Sequence, residues 1–366
     1  MSLLQPTAPL RAGLIGFGFA GQTFHAPLLL STPGIALAAV ASSDAAKVHA
    51  ALGTESGAEL AVHADPAALI ARDDIELVVV ATPNDTHHPL ALQALQAGKA
   101  VVVDKPFALH AGQAAELVRL ADARGLLLSV FHNRRWDGDF LTAQQLVRDG
   151  RLGRITHAEL HFDRYRPQIR QRWRESAEAG GGLWIDLAPH LIDQAVQLFG
   201  EPAAIQADIA VARDHAQADD WFHAQLRYAG GLRVTLHASA LTAQPGARFT
   251  LHGTHGSYRK WGLDAQEDAL KAGQRPDPAR PAAWGHDPQI GSLALATRAD
   301  DPNHLATSEL PTLPGNYPAY YAGIRDALRR GAPNPVPPGQ ALGVMRLIDL
   351  GRRSAQERRE LPFTPE

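Results

Sequence analysis

The chain contains no cysteine, which excludes a disulfide framework, thiolate catalysis and a zinc site built from thiolates. It also lacks an excess of either charge: a formal net charge of −3 over 366 residues gives no electrostatic reason to expect nucleic acid or an acidic membrane as a partner. No apolar run reaches the length of a transmembrane helix, and the N-terminal segment lacks the basic start of a signal peptide. We therefore expect a cytoplasmic protein that binds neither nucleic acid nor a membrane.

The length suits two domains, and a hydrophobic content of 45% is enough for substantial cores. Up to residue 131, runs that are apolar throughout, such as Leu77–Ala81, alternate with helical patterns, which indicates a parallel sheet covered on both faces. Later segments such as Ile155–Arg164 alternate apolar and polar residues, which is typical of antiparallel strands covered on one face. The sequence predicts an α/β protein with a doubly wound parallel sheet in residues 1–131 and an open, mainly antiparallel sheet in residues 132–366.

Three further segments complete the predicted organisation. Helices over Leu187–Phe199 and Tyr320–Arg329 are expected to cover the apolar face of the second sheet. A last helix over Gln340–Gln356 follows a Pro-Pro pair, which suits a helix start. Residues 264–318 are rich in proline and glycine and have no clear period, so we expect an irregular excursion over the site.

A glycine-rich turn stands between the first predicted strand and the first predicted helix. Gly16, Gly18 and Gly21 are spaced so that the backbone turns tightly and approaches a pyrophosphate at the helix N-terminus. We expect these glycines, with Phe19 and Ala20 between them, to bind a dinucleotide; an ordinary glycine turn is the alternative reading.

The end of the second predicted strand bears on the choice of cofactor. NAD sites usually carry an acidic residue there, but here the strand ends in Ser42 and Ser43, with Lys47 one turn later. Hydroxyls and a cation suit a 2′-phosphate, so the sequence favours NADP. NAD is the alternative cofactor, because Asp44 could serve as the acidic residue of an NAD site. Another alternative is that Ser42–Asp44 only cap the next helix.

The third predicted strand ends in Thr82, Pro83 and Asn84, followed by His87. Ligands of a doubly wound sheet lie at the carboxyl ends of its strands. We expect these residues to flank the nicotinamide ribose; a Pro-Asn turn with a helix cap is the alternative.

Candidate chemical groups come from two distant segments. Lys105 follows a predicted strand at the ligand edge and is fixed by Pro106, so it can reach both the cofactor and a substrate hydroxyl; a solvated surface charge is the alternative. Asp186 and His190 are four residues apart and share one face of a helix, with Pro189 expected in its first turn. A histidine can exchange a proton near neutral pH, and Asp186 can orient it or bind substrate. A cap aspartate beside a half-buried histidine is the other reading.

Taken together, these motifs resemble the Gfo/Idh/MocA oxidoreductases, the family of glucose–fructose oxidoreductase and inositol dehydrogenase. The resemblance covers nearly the whole chain and depends on Gly16–Gly21, Ala81–Asn84, Asp104-Lys105-Pro106 and Asp186–His190. Asp104 stands where the family usually has glutamate, and Ala188 where it usually has glycine. The resemblance implies an N-terminal Rossmann domain, a catalytic group of Lys105, Asp186 and His190, and a homo-oligomer, either a dimer or a tetramer.

Two segments, Phe131–Trp136 and Phe162–Pro167, resemble the NADP-dependent scyllo-inositol dehydrogenase branch in particular. That likeness implies NADP and a cyclic polyol or sugar as the substrate. Polyol sites combine hydrogen bonds with an aromatic floor, and the candidate substrate residues are Asn133, Arg134, Trp136, Tyr165 and Trp173. The arginines between Arg164 and Arg174 could bind an anionic substrate or simply form a solvated segment.

One strand of the second sheet carries residue types that bind metals. His157, Glu159, His161 and Asp163 share one face of a predicted strand, but alternate strand positions do not converge on an ion without help from other strands. We therefore expect no metal and a sheet face that meets water or another subunit. The alternative functions are a redox-assisted glycoside hydrolase that retains NAD and a nucleotide-binding sensor without catalysis.

Overall fold

The computed structural model describes residues 8–53, 60–170, 175–176, 180–297 and 303–364. Six parallel strands form the first sheet in the order β3-β2-β1-β4-β5-β6, which is the predicted Rossmann arrangement. These strands are β1 (Leu10–Ile15), β2 (Ile35–Ala41), β3 (Ala61–His63), β4 (Leu77–Val80), β5 (Ala100–Val103) and β6 (Leu128–Val130). The helices between them are α1 (Ala26–Leu30, preceded by a π-helical turn at Gly21–His25), α2 (Ala45–Leu52), α3 (Pro66–Ile70), α4 (His87–Gln96) and α5 (Ala111–Arg124).

Local chemistry explains where these elements lie. β4 and β5 are buried at every position because helices cover both faces of the sheet, which accounts for their valine-rich sequences. α2 begins after Asp44, whose side chain accepts a hydrogen bond from the backbone N–H of Lys47. α5 ends at Gly125, whose φ of 62° is a conformation that favours glycine.

Nine strands of the described residues form a second sheet, in the order β14-β13-β12-β11-β7-β10-β9-β8-β15. They are β7 (Ile155–His161), β8 (Ala204–Ala210), β9 (Trp221–Arg227), β10 (Arg233–Ser239), β11 (Phe249–Gly253), β12 (Gly256–Lys260), β13 (Gly291–Ala296), β14 (Leu305–Leu310) and β15 (Leu361–Pro362). The helices of this part are α6 (Gly138–Arg148), α7 (Leu183–Phe199), α8 (Gln266–Lys271), α9 (Pro281–Trp284), α10 (Pro318–Arg330) and α11 (Pro338–Glu357). The sheet is mainly antiparallel, as predicted, but β7 and β10 run parallel, so it is mixed. α7 packs against β7, β9 and β10 on the inner face.

Three expectations about local structure were wrong. α10 packs mainly against α1 and the turn at Asn133–Trp136, and not against the second sheet. Residues 264–318 are not simply irregular, because they contain α8, α9 and the two strands β13 and β14 that extend the sheet. β14 is exposed along most of its length, so it has no buried face to impose an alternating pattern. Pro189 lies in the second turn of α7 and not in the first, because the helix already begins at Leu183.

The last two helices return to the first sheet. Asn334, between α10 and α11, donates a hydrogen bond from Nδ2 to the carbonyl oxygen of Leu128 in β6, over 2.9 Å. The backbone N–H of Ala111, at the start of α5, donates to Asp349 Oδ2 of α11 over 2.8 Å. The C-terminal segment therefore packs on both sheets. Within the described part of the chain, no helix is both long enough and apolar enough to cross a membrane.

Candidate active site

A cleft with a volume of about 480 Å³ opens at the carboxyl edge of the first sheet. The glycine-rich turn forms one wall of it, and two of its three glycines have a steric reason to be there. Gly16 has a φ of 95°, and a side chain there would meet the carbonyl oxygen of Ala81 at 2.5 Å. A side chain at Gly21 would collide with the carbonyl oxygen of Gly16, whereas Gly18 faces open space. The backbone between Gly16 and Gly21, including Phe19 and Ala20, is thus open to a bulky ligand.

Ser42, Ser43 and Lys47 line the same cleft, beyond the end of β2. Lys47 is exposed, and its Nζ donates a hydrogen bond to the carbonyl oxygen of Phe17 over 3.1 Å. Asp44 Oδ1 accepts from the Lys47 backbone N–H over 2.9 Å, so this carboxylate does cap α2, as the alternative reading held. The cation therefore reaches the cleft while the carboxylate is engaged at the helix end.

The residues after β4 divide into two groups. Thr82 and Pro83 line the cleft. Asn84 instead donates from Nδ2 to the carbonyl oxygen of Gly180 over 3.0 Å, which links it to the loop before α7. The buried His87 ring lies between two backbone carbonyls, with Nδ1 2.8 Å from the oxygen of Pro106 and Nε2 3.0 Å from that of Thr82. His87 thus joins the two loops that border the cleft.

Lys105 and Asp186 are brought into contact from the two sheets. Lys105 Nζ donates to Asp186 Oδ1 over 2.8 Å and to the Asp186 backbone oxygen over 2.9 Å. Both side chains are largely covered, with 15% and 23% exposed. The Lys105–Pro106 peptide bond is cis. The ammonium is therefore held at the junction of β5 and the first turn of α7.

Asp104 holds the backbone of Lys105 in place through its side chain. Its Oδ1 accepts a hydrogen bond from the Lys105 backbone N–H over 2.7 Å and lies 3.7 Å from His25 Nε2. Burial opposes ionisation of Asp104, but the adjacent His25 imidazole and the charge of Lys105 lower the pKa of its carboxyl to about 2. The shorter aspartate, where the resembled family has glutamate, is therefore an ionised anchor beneath Lys105.

His190 lies one turn after Asp186 on α7 and is buried. Burial, and next the positive charge of Lys105, hold the pKa of the His190 imidazole well below its ordinary value of 6.5. Its Nδ1 is buried and has no hydrogen-bond partner in the described part of the chain. The ring is therefore neutral at physiological pH and near the Lys105 cation.

Two further histidines near this point are not among the predicted site residues. His25, in the first helix, has Nδ1 2.6 Å from the hydroxyl oxygen of Tyr321. His132 is buried after β6, and burial lowers the pKa of its imidazole to about 4; Arg135 and Lys105 also disfavour its protonation. An isolated histidine in a helix or loop has no spacing pattern, so only the tertiary structure relates these two to Lys105.

The predicted substrate residues are placed differently from one another. Asn133 and Arg134 are buried, and the Arg134 guanidinium lies 4.6 Å from the ring centre of Phe162 while pairing with Asp137 and Glu267. Trp136 packs edge-on against Tyr320, with ring centres 5.6 Å apart. Tyr165 is 61% exposed, so it does not line an enclosed pocket. Trp173 lies outside the described residues.

A small cavity of about 40 Å³ adjoins Asp186 and is also lined by Arg164. Burial lowers the pKa of the Arg164 guanidinium to about 10, and the Asp186 charge counters that effect. Arg164 stacks on Phe162 at 5.2 Å, but no described residue accepts a hydrogen bond from its guanidinium. Arg213, in contrast, is held by Asp220 and Glu175. The cavity therefore contains a hydrogen-bond donor, the Arg164 guanidinium, next to a hydrogen-bond acceptor, the Asp186 carboxylate.

Comparison with known proteins agrees with this architecture. Residues 10–132 match an oxidoreductase family with an NAD-binding Rossmann fold, and residues 140–259 match the Gfo/Idh/MocA C-terminal domain. The chain is 51% identical over 352 residues to YdgJ, an uncharacterized oxidoreductase of Escherichia coli strain K12, which covers 96% of this chain and 98% of that protein.

Two further comparisons extend the likeness. IolW of Bacillus subtilis strain 168, named as scyllo-inositol 2-dehydrogenase (NADP(+)), is 36% identical over 355 residues, covering 96% of this chain and 95% of that protein. A solved structure of an oxidoreductase from Yersinia pestis has a TM-score of 0.91 at 52% identity and covers 99% of this chain and 100% of that chain.

Proposed function

Because this chain belongs to the Gfo/Idh/MocA family of NAD(P)-dependent oxidoreductases, we propose that it oxidises a secondary alcohol of a cyclic polyol or sugar and passes the hydride to NADP. The observation that carries the proposal is the double hydrogen bond from Lys105 to Asp186, one turn before the neutral His190. It supports a catalytic group of these three residues, with the reverse reaction reducing a ketone.

Lys105 is suited to bind and stabilise the substrate oxygen. An ammonium carries three N–H donors, and two of them are directed at Asp186. The third is available for the hydroxyl oxygen, whose negative charge grows as its proton and the hydride leave. By accepting the other two hydrogen bonds, Asp186 fixes the direction in which the third N–H of Lys105 points.

His190 is suited to accept the hydroxyl proton. A general base must be unprotonated before the reaction, and burial together with the Lys105 charge favours the neutral imidazole. After the transfer, the imidazolium would lie near Lys105, and that repulsion favours release of the proton to solvent.

A nicotinamide dinucleotide fits the cleft at the edge of the first sheet. Gly16, Gly18 and Gly21 leave the backbone open to a pyrophosphate, and Thr82 and Pro83 border the far end of the same cleft. When bound, the nicotinamide supplies the hydride acceptor. Ser42, Ser43 and Lys47 support NADP over NAD because they offer hydroxyls and a cation to a 2′-phosphate, while the Asp44 carboxylate is engaged at α2.

The small cavity beside Asp186 supports a hydroxyl-rich substrate. Arg164 is a donor and Asp186 an acceptor within one cavity, and neighbouring hydroxyls of a polyol can satisfy both at once. Four acidic side chains, of Glu175, Asp186, Asp219 and Asp220, also line this cavity. Three arginines, Arg164, Arg166 and Arg213, line it as well, so the charges of the cavity nearly balance and a neutral polyol or sugar is the better match.

The test is to incubate the protein with NADP or NAD and a panel of inositols and cyclic sugars while recording the absorbance of the reduced nicotinamide. NADP-dependent reduction with at least one cyclic polyol is the expected result. Turnover of a glycoside with a retained, unconsumed cofactor would identify the redox-assisted hydrolase instead. Tight cofactor binding without turnover on any member of the panel would contradict the proposal and point to a sensor.

A further inference from the structure

The outer face of the second sheet carries a cluster of metal-ligand residues from two strands. His161 ends β7, Asp163 follows it two residues later, and His237 of β10 is the register partner of His161. From the sequence we expected no metal, because residues of one strand do not converge. His237 comes from the neighbouring strand, and one ligand atom from each of the three residues lies within 4.8 Å of the others.

The separations within this cluster suit ligands that share one metal ion, and His161 Nδ1 is also within hydrogen-bond distance of Asp163 Oδ2. His161 Nδ1 lies 3.3 Å from Asp163 Oδ2, and His237 Nε2 lies 3.5 Å from Asp163 Oδ1. Charge-assisted hydrogen bonds to a carboxylate are shorter, at about 2.7–2.9 Å. Ligands bound tetrahedrally to zinc at about 2.0–2.2 Å stand roughly 3.4 Å from one another.

One carboxylate oxygen of the cluster, Asp163 Oδ1, is buried and has no hydrogen-bond partner among the described residues. The side chains of His161 and His237 keep 22% and 16% exposure, which leaves an approach from solvent.

A second carboxylate supports one of the ligands from behind. Glu159 Oε2 lies 3.6 Å from His161 Nε2, the ring nitrogen on the side away from Asp163. Histidines that bind metals commonly engage a carboxylate through their other nitrogen, which orients the ring and raises its basicity.

We propose that His161, Asp163 and His237 form a binding site for a zinc-like divalent cation, with a fourth coordination position open to water. Two imidazoles and one carboxylate are ligands that suit Zn²⁺ and exclude Mg²⁺ and Ca²⁺, which prefer oxygen. The site would join β7 to β10 behind Phe162, whose backbone N–H donates to the carbonyl oxygen of His237 over 2.8 Å. The Phe162 ring lies on the other side of the strand, 6.4 Å from that of His190.

The test uses the full chain without a histidine tag, stripped with a chelator and dialysed. Titration with Zn²⁺ in a calorimeter is expected to give one ion per chain, and Co²⁺ is expected to give a visible absorption band typical of nitrogen ligation. His237→Ala and Asp163→Asn should each weaken Zn²⁺ binding about 100-fold or more. His223→Ala is the matched control, because its ring centre lies 6.1 Å from that of His237 on the same face but outside the cluster.

Three results would overturn the proposal: no stoichiometric Zn²⁺ binding, binding that survives His237→Ala, or an equal loss in the His223 variant. The Co²⁺ spectrum is recorded on the wild-type chain, so it decides the matter even if a variant does not fold. An absent band contradicts the site. The proposal is independent of the polyol reaction, since none of its readouts uses substrate or nicotinamide.

Discussion

Lys105 Nζ donates hydrogen bonds to both Oδ1 and the backbone oxygen of Asp186, across a sequence separation of 81 residues. One partner follows β5 of the parallel sheet, and the other lies in the first turn of α7, which packs on the second sheet. The contact therefore places an ammonium from one half of the molecule one helical turn from an imidazole of the other half. The proposed chemistry depends on that placement.

Replacing Lys105 tests the proposed catalytic group most directly. Lys105→Met keeps the apolar stem but removes the donor to the developing negative charge, and kcat is expected to fall by about 100-fold to 1000-fold. Cofactor affinity, measured by fluorescence titration, should change little, because the glycine turn is untouched. A variant with wild-type turnover would rule out this role for Lys105.

The pH dependence of alcohol oxidation should reflect the lowered pKa of His190. Protonation would disable the base, so activity is expected to be lost as the pH falls, but only well below the ordinary imidazole pKa of 6.5. The kcat/KM profile should accordingly stay level from about pH 8 to about pH 6. His190→Asn should lose most of the activity together with the acidic limb. A wild-type limb centred at or above 6.5 would contradict the assignment.

Lys47→Ala tests the preference for NADP. Loss of an exposed cation beside a phosphate should raise KM for NADP about fivefold, equivalent to ~1 kcal/mol, while KM for NAD is unchanged. His49→Ala, an exposed position on the same helix, is the control and should alter neither constant. An equal effect on both cofactors would argue against a 2′-phosphate contact.

Arg164→Ala should weaken substrate binding without affecting the cofactor. A hydrogen bond from a charged donor contributes about 1.5–3 kcal/mol, so KM for the polyol should rise about 10-fold or more. Tyr165→Ala is the neighbouring control, because Tyr165 is 61% exposed, and its KM should remain that of the wild type. Equal KM values in the two variants would exclude Arg164 from the substrate site.

His87→Ala should reduce stability as well as activity. Burial lowers the pKa of the His87 imidazole, so the neutral ring donates one N–H to one of two carbonyl oxygens, that of Thr82 or that of Pro106. Losing that hydrogen bond is expected to cost about 1–3 kcal/mol in the free energy of unfolding by urea. His88→Ala removes only a contact with the half-exposed Glu116 and should cost less than about 1 kcal/mol. Similar losses in both variants would contradict the positioning role of His87.

The parallel sheet could be predicted from the sequence because its central strands have a distinctive composition. β4 and β5 are short valine-rich runs buried on both faces, and the glycine turn fixes where the first strand meets the first helix. The pair Asp186 and His190 was visible for a similar reason, since a spacing of four residues places both on one face of α7.

What the sequence could not supply was non-local geometry. The sequence shows Asp104 only as a departure from a family pattern, because its partner His25 lies nearly eighty positions earlier, in the turn before α1. Arg164 could not be distinguished from the other arginines of its segment until the cavity beside Asp186 was known. β14 was missed because its residues are exposed, and exposed strands carry little hydrophobic periodicity.

The return of the C-terminal helices to the parallel sheet has a consequence for anyone who dissects this protein. A fragment ending at residue 131 would lack Asn334 and Asp349, and with them the partners of the Leu128 carbonyl and the Ala111 N–H. It would also uncover the apolar side of α5 and β6 on which α11 rests. We expect such a fragment to aggregate, and the intact chain to melt in one cooperative transition, so the boundary between the sheets is not a place to cut.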